Sequence, residues 1–268
     1  MAIFLNSHPL QSIVVELSAM ESGHPPATLG RAIHAQILKW IQLGDPQLSE
    51  RIHAGQSSPL SVSGLMGNRR QPKTQAGDRF YFRIGIIDGT IIQPLLTGIE
   101  RWETQEIVLG KFPFVATKFS MFRDSHSLAE SSSYESLAQS PIIKPTIQLM
   151  FHSPTSFKQK DKIQTFLLPE LVFSSLHRRW NQFAPEALHF SEVEWEGLVS
   201  AYELKTHALR LEGGGEIGAQ GWIRYRFPDE EQAQIASILA RFAFFSGVGR
   251  KTTMGMGQAK VQLPKPHK

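Results

Sequence analysis

Phe244-Phe245-Ser246-Gly247-Val248-Gly249-Arg250-Lys251-Thr252-Thr253-Met254-Gly255-Met256-Gly257-Gln258 sets two Gly-x-Gly units around five residues, two of them cationic. Glycine takes positive φ without a steric penalty and lets backbone approach whatever lies opposite. Successive N–H groups in such turns form concave anion-binding nests, and Arg250 and Lys251 put charge where a phosphate backbone would lie. The plainer alternative is a tight turn joining a helix to a strand. Upstream, Asp229 with Gln232 predicts a capping box. It opens a helix with Ile235, Ala236, Ile238, Leu239 and Phe242 on one face. Downstream, Gln258–Leu263 predicts a strand. A mononucleotide loop needs the reverse order, strand then helix, and no Gly-Lys-Ser/Thr follows these glycines.

Further back, Thr146–Phe151 predicts a strand and Pro169–Phe183 a helix with Leu171, Val172, Leu176, Trp180 and Phe183 apolar. Tyr202–Leu211 and Glu216–Phe227 predict two strands joined through Gly213-Gly214-Gly215. The N-terminal half repeats this order. Gln11–Ser18 is a strand, and Thr28 caps a helix running to about Leu43, with Leu29, Ile33, Ile37, Trp40 and Ile41 at helical spacing. Gly44-Asp45-Pro46 ends it and caps a short second helix reaching His53. Pro59–Met66 and Arg79–Ile87 are strands, Thr90–Trp102 a helix, and Glu106–Leu109 and Phe112–Phe122 strands again. Between the halves, Ser125–Ser140 is serine-rich with few apolar residues and predicts a surface connector without chemistry.

The expectation is an α+β chain of two tandem ferredoxin-like units, each βαββαβ, the sheet topology that RNA-recognition domains share. The expected division is 1–124, a connector at 125–144, and 145–268. The length, 268 residues, and the 41% apolar content suit two ordinary cores. The absence of cysteine excludes disulfides, thiolate metal sites and cysteine nucleophiles. Met1–Asn6 lacks the basic and apolar regions of a secretory leader. No run of about 20 apolar residues predicts a membrane span, so the expected location is cytoplasmic. Net charge is only +4, unevenly spread: Gln232–Lys268 holds six Lys or Arg and no acid, whereas Glu186–Glu203 holds five Glu and no Lys or Arg. One region therefore attracts a polyanion that another repels.

The glycine pattern with its basic residues, the preceding Leu239-Ala240-Arg241-Phe242-Ala243, Pro154-Thr155-Ser156-Phe157 and Leu176-His177-Arg178-Arg179-Trp180-Asn181-Gln182-Phe183 together resemble the Cas-six family of CRISPR repeat-processing endoribonucleases. The resemblance extends over most of the chain and is most specific in its second half. It implies two tandem ferredoxin-like units and cleavage of CRISPR precursor RNA within its repeats. It also implies an active-site histidine on the first helix or at the end of the second. Ile52-His53 followed by Ser58-Pro59-Leu60-Ser61-Val62-Ser63 fits the second pattern, although many members of the family carry lysine where Ser58 stands. The partners implied are CRISPR repeat RNA and proteins of a crRNA effector complex, with the chain a monomer or homodimer.

Metal-free RNA cleavage needs a base for the 2′-OH proton, an acid for the departing 5′-oxygen, and charge stabilisation at the phosphorus. Histidine suits both proton transfers near neutral pH. His34 lies three residues after Arg31 on the first helix, the spacing of neighbours on one face, and His53 ends the second. These three are the catalytic candidates, with acid and base roles for the histidines open. Arg31 replaces the missing lysine. The RNA-binding candidates are Arg178 and Arg179, Gly247, Gly249, Arg250, Lys251, Gly255 and Gly257, and Arg69 and Arg70 with nearby Lys73. No metal-ligand spacing is present, and no cofactor is expected. The rival reading is a non-catalytic RNA-binding subunit on the same double fold, which needs neither histidine.

Overall fold

The computed structural model describes residues 8–55, 57–67, 73–103, 105–139, 145–211 and 214–262. They form a mixed α+β structure of two compact units. One comprises Pro9–Ser131 together with Thr253–Gly255, and the other the remaining described residues.

The first unit begins with β1 (Pro9–Ala19), whose Ile13, Val15 and Leu17 are fully buried on one face. α1 (Gly30–Gly44) follows, and Ile33, Ile37, Trp40 and Ile41 make its buried stripe, as their spacing requires. Thr28 is not the capping residue: Leu29 occupies the N-cap position, and no side chain caps the helix. α2 (Pro46–Ala54) starts as expected, with Pro46 in the first turn and the Asp45 carboxylate accepting from the Leu48 N–H at 3.0 Å. β2 (Leu60–Val62), β3 (Met66–Gly67), β4 (Arg79–Ile86), α3 (Ile92–Trp102), β5 (Ile107–Leu109) and β6 (Phe112–Ser120) complete the unit. The sheet order is β2-β4-β1-β6-β5, with β3 beside β4.

The serine-rich stretch is more than a connector. Glu130–Ser133 forms β7 and Tyr134–Gln139 forms α4, with Tyr134 and Leu137 buried. Tyr134 packs edge-on against Trp180 at 4.8 Å and lies 5.6 Å from Phe242. One tyrosine and one leucine suffice to anchor a polar helix, which serine content conceals.

In the second unit β8 (Thr146–Thr155) leads to a hairpin, β9 (Phe157–Gln159) and β10 (Lys162–Gln164), that turns through Lys160 at φ 52°. α5 (Pro169–Phe183) follows, then β11 (Leu198–Leu211), β12 (Gly214–Arg226), α6 (Glu230–Ser246) and β13 (Ala259–Val261). The sheet order is β11-β12-β8-β13, antiparallel throughout. Asp229 caps α6 by accepting from the Gln232 N–H at 2.7 Å. The Gln232 side chain does not close the box. It bonds the backbone of Glu194 and Glu196 instead, tying down the acidic segment before β11. Among the described residues no helix is long and apolar enough to cross a membrane.

Candidate active site

α1 and α2 bring His34 and His53 within electrostatic reach of each other. His34 is half-buried, and its Nε2 is sealed from solvent with no hydrogen-bond partner. Burial holds its pKa below the ordinary histidine value, and the charge of His53 lowers it further. His53, in the last turn of α2, is exposed, as is Arg31 in the first turn of α1. A groove of about 510 Å³ runs between the helices, walled by Leu38, Lys39 and Gln42 on one side and Ser49, Glu50 and His53 on the other. The Ser58 hydroxyl accepts from the Leu60 N–H at 3.2 Å at the start of β2. It brings no charge, which leaves Arg31 the cation in sequence closest to His34. Among the described residues, no three His, Cys, Asp or Glu side chains are grouped as a metal would require.

The glycine loop follows α6. Gly247, Gly249, Gly255 and Gly257 all have positive φ, between 68° and 93°. The N–H groups of Gly247, Gly249 and Gly257 are not left open as a nest would require. Gly247 donates to the Ala243 carbonyl, Gly249 to Ser175 Oγ at 3.1 Å, and Gly257 to the Pro154 carbonyl at 3.1 Å. Val248 donates to Gly257, and Arg250 to the Ser156 carbonyl. The loop folds back on itself and on the end of β8, so the N–H groups of Gly247–Arg250 and Gly257 are spent on protein acceptors. Side chains, not a nest of amides, are what it offers outward.

Both of its cations meet one carboxylate. Glu216 Oε2 accepts from Arg250 at 2.5 Å, and Oε1 accepts from Lys251. Burial alone would raise the Glu216 pKa, but the hydrogen bond from Lys251 and the charges of Arg250 and Lys251 outweigh it and hold it low. Nothing in the local sequence marks Glu216, because it lies 34 positions before Arg250, on β12.

The paired arginines of α5 diverge. Arg178 is exposed, whereas Arg179 turns inward and donates to Thr252 Oγ1 at 2.8 Å, fastening the loop. Burial pushes the Arg179 guanidinium down to about 10; Tyr134 opposes this and the Arg178 charge adds to it. Arg69 and Arg70 lie outside the described residues, and Lys73 is exposed.

Thr253–Gly255 belong to the first unit. There Gly255 forms a parallel bridge with Ser63, and the Met254 carbonyl packs on Gly30, the residue before Arg31. Sequence spacing alone does not associate this loop apex with α1.

The family model for the CRISPR-associated endoribonuclease Cas6 matches residues 149–259. A Streptococcus thermophilus protein described as CRISPR-associated endoribonuclease Cas6 is 23% identical over 120 residues, covering 42% of this chain. The match spans about half of that relative, 49%. Among solved structures, a Thermus thermophilus Cas6 product complex superposes with a TM-score of 0.81 at 24% identity, over 96% of this chain and 100% of the other. A second Cas6 product complex gives 0.76 at 26% identity, over 95% and 100%. Residues 149–259 thus match the Cas6 endoribonuclease family model, and nearly the whole chain shares the fold of solved Cas6 structures.

Proposed function

We propose that this chain is a metal-independent endoribonuclease that cuts CRISPR precursor RNA within its repeats. The observation that carries the reading is the His34–His53 pair on neighbouring helices, one member half-buried with its pKa held below the ordinary value by burial and by the charge of the other, the second exposed beside the groove. Two histidines, one buried and one open to solvent, are the groups that a proton-abstracting and a proton-donating step need. His34 is then the base. It removes the 2′-OH proton, O2′ attacks the adjacent phosphorus, and the P–O5′ bond breaks. His53, open to solvent, protonates the leaving O5′. Arg31 stabilises the charge that develops on the phosphoryl oxygens. The products are a 2′,3′-cyclic phosphate and a 5′-OH. Arg178, Arg250 and Lys251 hold the RNA backbone, and the groove beside His53 gives the strand access.

Each unit fits a ferredoxin-like fold. With strands counted within the βαββαβ core, β2-β4-β1-β6 and β11-β12-β8-β13 share the order second, third, first, fourth. Solved relatives hold a product or a substrate mimic, in keeping with repeat RNA as the ligand here.

The test is single-turnover incubation of CRISPR repeat RNA with the pure protein in EDTA. A single cut leaving a cyclic phosphate is expected, and a 2′-deoxy substitution before the cut should abolish it. Cleavage of the deoxy substrate, or activity only with added metal, would overturn the mechanism.

A further inference from the structure

The two cations of the glycine loop are occupied by Glu216, whose two oxygens each take one of them. The two non-bridging oxygens of a phosphodiester present the same pattern: one negative charge on two acceptors, facing one guanidinium and one ammonium. The trio is at the surface but shielded, with side-chain exposure of 26% for Arg250 and Lys251 and 15% for Glu216. A guest therefore reaches it without the core opening.

The loop does not depend on Glu216 for its shape. Its backbone is held by the bonds from Val248 to Gly257, Arg250 to Ser156 and Gly257 to Pro154, and Arg179 secures Thr252. Lys251 itself sits at φ 55°, a left-handed conformation uncommon for lysine, which persists only where surrounding structure dictates it. The cations are thus set in place by the loop, and the carboxylate is a guest on them.

We propose that Glu216 is a resident competitor of the RNA: it fills a phosphate subsite formed by Arg250 and Lys251, and a phosphodiester displaces it on binding. The inference rests on the reading of this loop as an RNA contact. Exchanging one anion for another gives little net gain at this subsite. A polyanion without good contacts elsewhere is therefore rejected, and the correct RNA binds only by adding contacts outside the loop. The penalty falls on every RNA alike and raises the threshold of contacts that any of them must meet to stay bound.

The experiment measures binding of two RNAs, a CRISPR repeat and a twelve-nucleotide oligouridylate, to wild type, E216Q, the double variant Arg250→Ala/Lys251→Ala, and the triple variant. Phosphate contacts carry no sequence information, so E216Q should tighten both RNAs, by about tenfold at low salt and less as salt rises. The log–log salt slope should steepen by about 0.7 for one single-stranded phosphate. In the triple variant the gain should vanish. Unchanged or weaker binding by E216Q, at wild-type thermal stability, would overturn the proposal. Should E216Q melt early, Glu216→Asp replaces it. That change draws the carboxylate back from the cations, so a smaller gain is expected, and no gain overturns the idea. Wild-type cleavage separates the two readings. A normal cut with no E216Q effect removes only the competitor. Tighter oligouridylate binding without any cut removes only the nuclease. No binding of either RNA by any variant removes both.

Discussion

A Cβ added to Gly30 would stand 2.2 Å from the carbonyl oxygen of Met254, far inside contact distance. Backbone, not a flexible side chain, blocks the space, so the loop apex comes this close to the start of α1 only because this position is glycine. Gly30→Ala should push the loop apex away or shift the first turn of α1, which carries Arg31 and leads to His34. Overpacking of this kind costs about 1–3 kcal/mol. A melting temperature lowered by several degrees with slower cleavage is the expected result. A variant that melts and cuts like wild type would show that the contact constrains neither.

His34 links stability to pH with a definite sign. Its folded pKa is depressed, so the unfolded chain binds the proton more readily. The stabilisation from keeping it neutral is complete above the ordinary value of about 6.5 and is lost as pH falls through that value toward the folded pKa. Thermal melts from about pH 8 down to about pH 5 should show a smaller decline for His34→Gln than for wild type. Parallel curves would mean that His34 does not titrate differently in the two states.

His34→Ala and His53→Ala should each retain RNA binding and lose cleavage rate by about 10²–10⁴, the usual contribution of a positioned acid or base. Arg31→Ala should follow them if it stabilises the phosphorane, and should instead weaken binding if it only grips RNA. Single-turnover rates at saturating protein, alongside dissociation constants, separate these outcomes. Near wild-type rates in both histidine variants would remove the acid–base assignment.

The adjacent arginines should behave differently. Arg178 is exposed, so Arg178→Ala should weaken RNA binding and lower the salt slope by about 0.7–0.9 if it meets one phosphate, with little change in melting. Arg179 holds Thr252. Arg179→Ala should destabilise the fold by about 1.5–3 kcal/mol, the range for a hydrogen bond to a charged group. Melting and binding curves for both variants check this, and equal effects on both measurements would contradict the division of roles.

Much of the architecture follows from local pattern. α5 has the bounds that Pro169 and the apolar spacing to Phe183 indicate, α2 starts on Asp45 and Pro46, and α6 is capped by Asp229. Helix stripes, caps and turn glycines act within a few residues, so the chain declares them. The same holds for the glycine loop as a positive-φ turn, and for His34 and His53 as candidates on neighbouring helices. The tertiary structure decided what those side chains face. Two adjacent arginines on α5 differ because one points at the loop and the other at solvent. Serine-rich sequence conceals a helix that Tyr134 anchors against Trp180 and Phe242, both distant in sequence. The amides of Arg250, Gly257 and Gly249 are taken by Ser156, Pro154 and Ser175, and the loop's cations by Glu216, none of which is near in sequence. Propensity and periodicity describe the free energy of a segment against solvent, whereas ion pairing and donor satisfaction depend on which strands and helices are brought alongside it.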